Sequence, residues 1–158
     1  MPISELRRYR NSALYRPLAR VLRVYNRRVV EGVHARGFAD FQPAFPQILS
    51  NLDVRGTRIG VLAARAGISR QAVGQLVGEI ERCGYVERRR SEDDARAIVV
   101  SFTPRGRKLL SAIFDLVDAI EASFAAELGE PTFAAVRAGM VALADRIDPD
   151  GVFGAADE

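Results

Sequence analysis

At 158 residues, 48% of them apolar, the chain can build one domain with a sizeable core and still have helices to spare for a partner. One Cys cannot form an internal disulfide, and with a single His beside it the common acid–base and nucleophilic arrangements are nearly excluded. The net charge of +3 says little by itself, but residues 1–36 hold nine basic and two acidic side chains, 55–107 eleven and six, and 109–158 two and ten. Such a chain can hold an anionic polymer with one part and keep another part away from it.

In chain order, residues 11–36 come first. Leu14, Leu18, Val21, Leu22, Tyr25, Val29 and Val33 recur at helical spacing, and Pro17 marks a kink or a late helix start. Residues 37–56 read as a linker, with His34, Phe38, Phe41 and Phe45 clustered at its junction with the first helix. A few aromatics with one or two polar groups suit a small-molecule pocket, although phenylalanines in a junction are more simply core and hinge packing and need no ligand to justify them. His34 is also a candidate pH-responsive group, or a plain surface side chain.

Residues 58–103 carry the densest signals. Ala63 and Ala64 suit a close helix–helix approach, and Gly67 supplies a left-handed turn without steric cost. Ser69 stands where its hydroxyl can cap a second helix. In that helix Val73, Leu76, Val77 and Ile80 share one face, while Arg70, Gln71, Gly74 and Gln75 open the other. Arginine forks onto guanine and glutamine onto adenine, so these residue types fit the leading end of a helix in the major groove. Gly74 and Gly78 let a phosphate or base edge come close.

Cys83-Gly84 ends the helix, Tyr85 to Arg90 reads as a strand, Ser91-Glu92-Asp93-Asp94 as a polar turn, and Ile98-Val99-Val100 as the centre of a second strand. A hairpin whose arms carry Arg88, Arg89, Arg90 and Arg96 can reach an adjacent minor groove or its phosphates. Alternate strand residues face opposite ways, so only part of the arginine triplet can meet DNA. Helix, turn, helix and hairpin in this order describe a winged helix-turn-helix. Beyond it, Leu110, Ile113, Phe114, Val117, Ile120, Phe124 and Leu128 line a helix of about two dozen residues. A last helix over residues 132–147 carries Phe133, Val136, Met140, Leu143 and Ile147, with Pro149 as its stop. Long terminal helices cannot all bury their stripes on so small a reader, so they need one another or a second copy.

The segment GISRQAVGQLVGEIERCGYVERR, the Asp94-x-Arg96 pair, Phe102-Thr103 and Pro104-Arg105-Gly106 together resemble the MarR family of winged helix-turn-helix transcriptional regulators. The resemblance runs over residues 10–147 and is most specific between 58 and 106. Ser91 and Phe102 depart from the family's usual residues, which bears on the shape of the wing tip. The resemblance implies that Arg70, Gln71 and Gln75 meet the major groove, that Arg96 enters the minor groove from the wing, and that Asp94 acts indirectly, orienting the wing arginine or tying the wing to the body through a salt bridge. Asp94 is otherwise a turn former. It also implies a homodimer joined through the first and last two helices, and a pocket for phenolic or other aromatic effectors near the linker.

The expected fold is mainly α with a small β wing, a winged helix-turn-helix with long N- and C-terminal dimerisation helices. Residues 1–36 and 108–148 form the dimerisation region, 37–107 the DNA-binding region and 149–158 a tail. The expected DNA contacts are Ser69, Arg70, Gln71, Gly74, Gln75, Arg88, Arg90, Asp94 and Arg96, and the candidate ligand pocket is His34, Phe38, Phe41 and Phe45. The expected partners are double-stranded DNA, a second copy of the chain and a small-molecule effector, with no membrane; no cofactor, metal or catalytic activity is expected, and the expected location is the cytoplasm. Cys83, at a helix carboxyl end, gains no help from the helix dipole in ionising and suits a redox role poorly. The alternative to a regulator is a winged module whose arginines meet an acidic protein.

Overall fold

The computed structural model describes residues 13–90 and 97–148. Helix α1 (Tyr15–Ala35) leads through a turn into the short α2 (Pro46–Leu49), then β1 (Thr57–Arg58), α3 (Ile59–Ala66) and α4 (Arg70–Arg82). Strands β2 (Val86–Arg90) and β3 (Ile98–Phe102) follow, and the long helices α5 (Pro104–Leu128) and α6 (Glu130–Ile147) complete the chain. The mainly α fold with a small β wing is thus present, as a winged helix-turn-helix. Among the described residues no helix is long and apolar enough to cross a membrane. The expected wing turn, with Asp94 and Arg96, and the expected stop at Pro149 lie outside the described residues.

The sheet has three antiparallel strands in the order β1-β3-β2. Sequence periodicity missed β1 because two residues carry no alternation. Thr57, which opens it, is buried, and its hydroxyl both accepts from the Asp53 amide at 2.9 Å and donates to the Asp53 carboxylate at 3.1 Å. Arg65 of α3 reaches the same carboxylate at 3.0 Å and the Asn51 carbonyl at 3.3 Å, so the third strand and α3 are tied to one loop. The linker also contains α2, whose Ile48 and Leu49 belong to the core.

The core lies where α2, α3 and α4 meet the sheet and the adjoining ends of α1 and α5. Val73, Val77 and Ile80 are fully enclosed and Leu76 is half-buried, so the apolar face of α4 is the one its spacing indicates. Helix α5 differs from expectation. Leu109, Leu116 and Ile120 point into the core, whereas Phe114 and Leu128 are more than half exposed. Leu109-Leu110 and Leu116-Val117 are adjacent apolar pairs, so spacing alone cannot say which member turns inward. Helix α5 packs on α1 through the tilted pair Tyr25 and Phe124, 6.1 Å between ring centres, and through Gly32, whose missing side chain makes room for Leu116.

Gly106, in the first turn of α5, is the tightest of these contacts. A Cβ there would lie 2.8 Å from the carbonyl carbon of Tyr85, and closer still to its oxygen. Backbone cannot move aside as a flexible side chain can. Gly106→Ala therefore forces α5 off the β2 entry, and urea denaturation should show a loss of at least about 2 kcal/mol, the usual scale of core overpacking. An unchanged midpoint would contradict this packing.

Candidate nucleic-acid interface

The two helices of the reading head are set by their turn. Helix α3 ends at Gly67, which is left-handed at φ +65°, and the Gly67 and Ile68 amides donate back to the carbonyls of Ala64 and Ala63. Ala63 is buried at this junction, while Ala64 is exposed. Ser69 then caps α4, its hydroxyl accepting from the Ala72 amide at 3.2 Å. Helix α4 closes by the same carboxyl-end device, with Gly84 at φ +74° and the Tyr85 amide donating to Ile80 O at 3.2 Å.

Between these two turns the outer face of α4 is open. Ser69, Arg70, Gln71 and Gln75 are exposed, and a side chain at Gly74 would meet nothing within 4 Å. Arg70 lies back over α3, with its guanidinium 3.4 to 3.7 Å from where a Gly60 side chain would begin. At the other end of the strip, the Arg88 guanidinium lies 3.4 Å from the corresponding point on Gly78. The helix face therefore runs without a ridge from Ser69 to the wing.

Arg88 is not simply a side chain held out to solvent. It forms an ion pair with Glu81 of α4 at 2.8 Å, its Nε donates to the same carboxylate at 2.8 Å, and its backbone amide donates to the other oxygen at 3.0 Å. This pairing draws the Glu81 carboxyl below its ordinary range, the Arg88 hydrogen bond being the main cause. Register places Arg88 opposite Val100 and Arg90 opposite Ile98, so both share the face of Val86 and Phe102. Arg89 faces the other way, opposite Val99, and pairs with Glu87. The arginine triplet is thus divided as strand alternation requires, and Arg88 is the brace between wing and helix. Glu81 was not singled out in the sequence, because its partner lies seven residues on, across a turn.

The linker aromatics pack against one another and against Tyr85. Phe41 and Phe45 are buried and meet edge to face at 5.7 Å, and Tyr85, fully enclosed, packs on Phe38, Phe41 and Phe45 at 6.1 to 6.5 Å. His34 is exposed, and its Nε2 donates to the Phe41 carbonyl at 2.7 Å, closing the turn after α1. Only Phe38, half-buried, and His34 lie at the rim of this cluster.

The Tyr85 hydroxyl donates to Asp40, and Arg105 forms an ion pair with Asp40 at 2.9 Å while lying over the Tyr85 ring at 4.9 Å. Burial, then the Asp40 hydrogen bond, push the Tyr85 phenol up to about 12. Burial and the nearby Asp40 also raise the Cys83 thiol, whose Sγ donates to the Asp40 carbonyl at 3.6 Å. A protonated, partly covered thiol is a poor nucleophile. Among the described residues no group of His, Cys, Asp and Glu could hold a metal ion.

Comparison with known proteins bears on this arrangement. Residues 39–97 match the MarR family model. YfiV of Bacillus subtilis, described as an uncharacterized HTH-type transcriptional regulator, is 29% identical over 70 residues; the match covers 44% of each chain, so this chain spans less than half the length of that relative. The crystal structure of a MarR family transcription regulator is 25% identical, with a TM-score of 0.67 over 92% of this chain and 91% of that one. CouR from Rhodococcus jostii RHA1, solved bound to p-coumaroyl-CoA, is 20% identical, with a TM-score of 0.69 over 88% of this chain and 94% of its own.

The brace between wing and helix makes a measurable difference. Glu81→Ala should change global stability by less than about 1 kcal/mol, since partly exposed ion pairs contribute little, yet it should speed hydrogen exchange at the Arg88 amide severalfold. Unchanged exchange at that amide would mean that Glu81 does not hold the wing.

Proposed function

We propose that the chain, whose residues 39–97 match the MarR family model and whose fold is similar to that of a MarR family transcription regulator, is a winged helix-turn-helix regulator that binds a pseudo-palindromic operator as a homodimer and acts as a repressor. The observation that carries this is the unobstructed strip from Ser69 through Arg70, Gln71, Gly74 and Gln75 to the wing. Its width is that of a helix face, its residue types are those that read base edges, and its two ends are basic. In DNA, Gln71 and Gln75 meet base edges in the major groove, and Arg90 and Arg96 follow the wing to the minor groove or its phosphates. Asp94 orients the wing.

The apolar surface supports a second copy as partner. Leu14, Leu18, Val21 and Leu22 of α1 are exposed, and so are Phe114 and Leu128 of α5. Helix α6 has no buried residue at all, and Val136, Met140, Val141, Leu143 and Ile147 lie open along it. An apolar surface of this extent on three helices fits an isologous interface, in which one patch meets itself about a two-fold axis. Residues 1–36 and 108–148 then serve dimerisation and 37–107 DNA binding. The two recognition helices would enter successive major grooves.

An effector belongs to the same proposal. CouR is described bound to p-coumaroyl-CoA, and here a small aromatic would meet the rim at Phe38 and His34, since Phe41 and Phe45 are enclosed. By changing the spacing of the two recognition helices it would release the operator.

Titration of a random-sequence duplex in low salt should give binding in the low-micromolar range that weakens steeply as salt rises. Gln71→Ala should then cost about 1 to 3 kcal/mol on a selected site and relax preference at particular bases, while Arg96→Ala should weaken all duplexes and lower the salt slope. Absence of salt-sensitive binding would overturn the proposal and favour an acidic protein as the partner of the arginines. In sedimentation the full chain should run as a dimer, and a chain ending before residue 121 as a monomer.

A further inference from the structure

Asp40 joins three parts of the molecule through its own polar contacts. It lies in the turn that leaves α1. Its carboxylate accepts from the Tyr85 hydroxyl at the exit of α4 and from Arg105 in the first turn of α5, and its carbonyl accepts from the Cys83 thiol at the carboxyl cap of α4. Two of these contacts grip the end of the recognition helix, and the other holds a helix of the proposed dimer scaffold.

Stability is not what this cluster chiefly provides. The Asp40 and Arg105 side chains are 39% and 49% exposed, and ion pairs so placed contribute little to folding. The apolar half of the junction, with Phe41, Phe45 and the Tyr85 ring, is enclosed, and Arg105 lies over one face of that ring. What the polar half adds is direction. Apolar contacts are non-directional and permit small rotations, whereas a carboxylate held from two sides defines an angle.

A lever makes that angle matter. Helix α4 has 13 residues and so spans about 20 Å, and a tilt of about 5° at its Cys83 end moves its Arg70 end by about 1.7 Å. Hydrogen bonds to base edges do not survive a displacement of that size. In a two-fold pair the displacements add, to about 3.4 Å, which is the rise of one base pair.

We propose that Asp40 is a positioning residue for DNA recognition: by clasping Tyr85 and Arg105 it sets the angle between the recognition helix and the dimer scaffold, and with it the half-site spacing that the dimer accepts. This rests on the dimeric DNA-binding function proposed above. The contact also offers a point of control, since anything that draws Asp40 or Arg105 away frees the end of α4.

The test uses the full chain with Asp40→Asn and Asp40→Ala, on duplexes selected from random DNA by the wild-type protein and then lengthened or shortened by one base pair at their centre. The wild type should bind its own spacing at least about tenfold more tightly than either altered duplex, a penalty of the size one mismatched contact carries. Both variants should bind non-specific duplex in low salt as the wild type does, but discriminate spacing only about twofold. A DNA-independent readout accompanies this: titration of the tyrosine ring signals, with Tyr85 assigned by Tyr85→Phe, should show the Tyr85 phenol ionising at lower pH in Asp40→Asn than in the wild type. A variant that keeps the tenfold spacing preference, or an unmoved Tyr85 titration, would overturn the clasp while leaving the proposed function intact. Failure of the wild type to bind any duplex would instead overturn the function on which the clasp's role depends.

Discussion

The enclosed ring of Tyr85 is the contact on which the arrangement of the reading head depends. It stands directly after the glycine that ends α4, so its position fixes where the recognition helix stops and where the wing begins. Its ring packs on Phe38, Phe41 and Phe45 from the turn region after α1. Its carbonyl accepts from the Thr103 amide at 3.0 Å, and Gly106 is pressed against that same carbonyl. One side chain and its peptide thus set helix α4, the sheet and the start of α5 in mutual register. Aromatic pairs of this kind contribute about 0.5 to 1.5 kcal/mol each beyond the area they cover, and three of them converge here.

Around that centre the molecule separates rigidity from contact. The inner face of α4 is closed by Val73, Val77 and Ile80, and its ends are held by the Ser69 cap and the Gly84 turn. Its outer face carries no obstruction, and Glu81 turns Arg88 into a strut between helix and wing. A helix that reads bases has to be fixed to within a fraction of an ångström on one side and unencumbered on the other. The exposed apolar residues of α1, α5 and α6 are the counterpart of this design. In the proposed dimer a second copy covers them, and the two-fold symmetry of the pair matches that of the proposed operator.

Local chemistry made some of this legible in the sequence. Gly67 and Ser69 mark a turn and a cap by short-range geometry, and the Val73, Val77 and Ile80 face follows from helical period alone. The wing arms followed from β-branched residues and alternation, which also divides Arg88 and Arg90 from Arg89. What stayed hidden depends on contacts between distant residues. Strand β1 is two residues long and exists because β3 lies beside it. The inward stripe of α5 is ambiguous wherever two apolar residues adjoin. Asp40, flanked by an alanine and a phenylalanine, carries no local signal of its role, because its partners Tyr85 and Arg105 are 45 and 65 residues away. Phe41 and Phe45 were legible as a cluster, but their neighbour Tyr85, which fills the space between them and the wing, was not.

If two copies of this reading head act together on DNA of matching symmetry, as proposed, that symmetry will be written in the sequences that the protein selects from a random duplex pool. The selected pool should be enriched in an inverted repeat whose half-sites lie about one helical turn, roughly 10 base pairs, apart from centre to centre. Enrichment of a lone asymmetric site, or no enrichment over the starting pool, would contradict it.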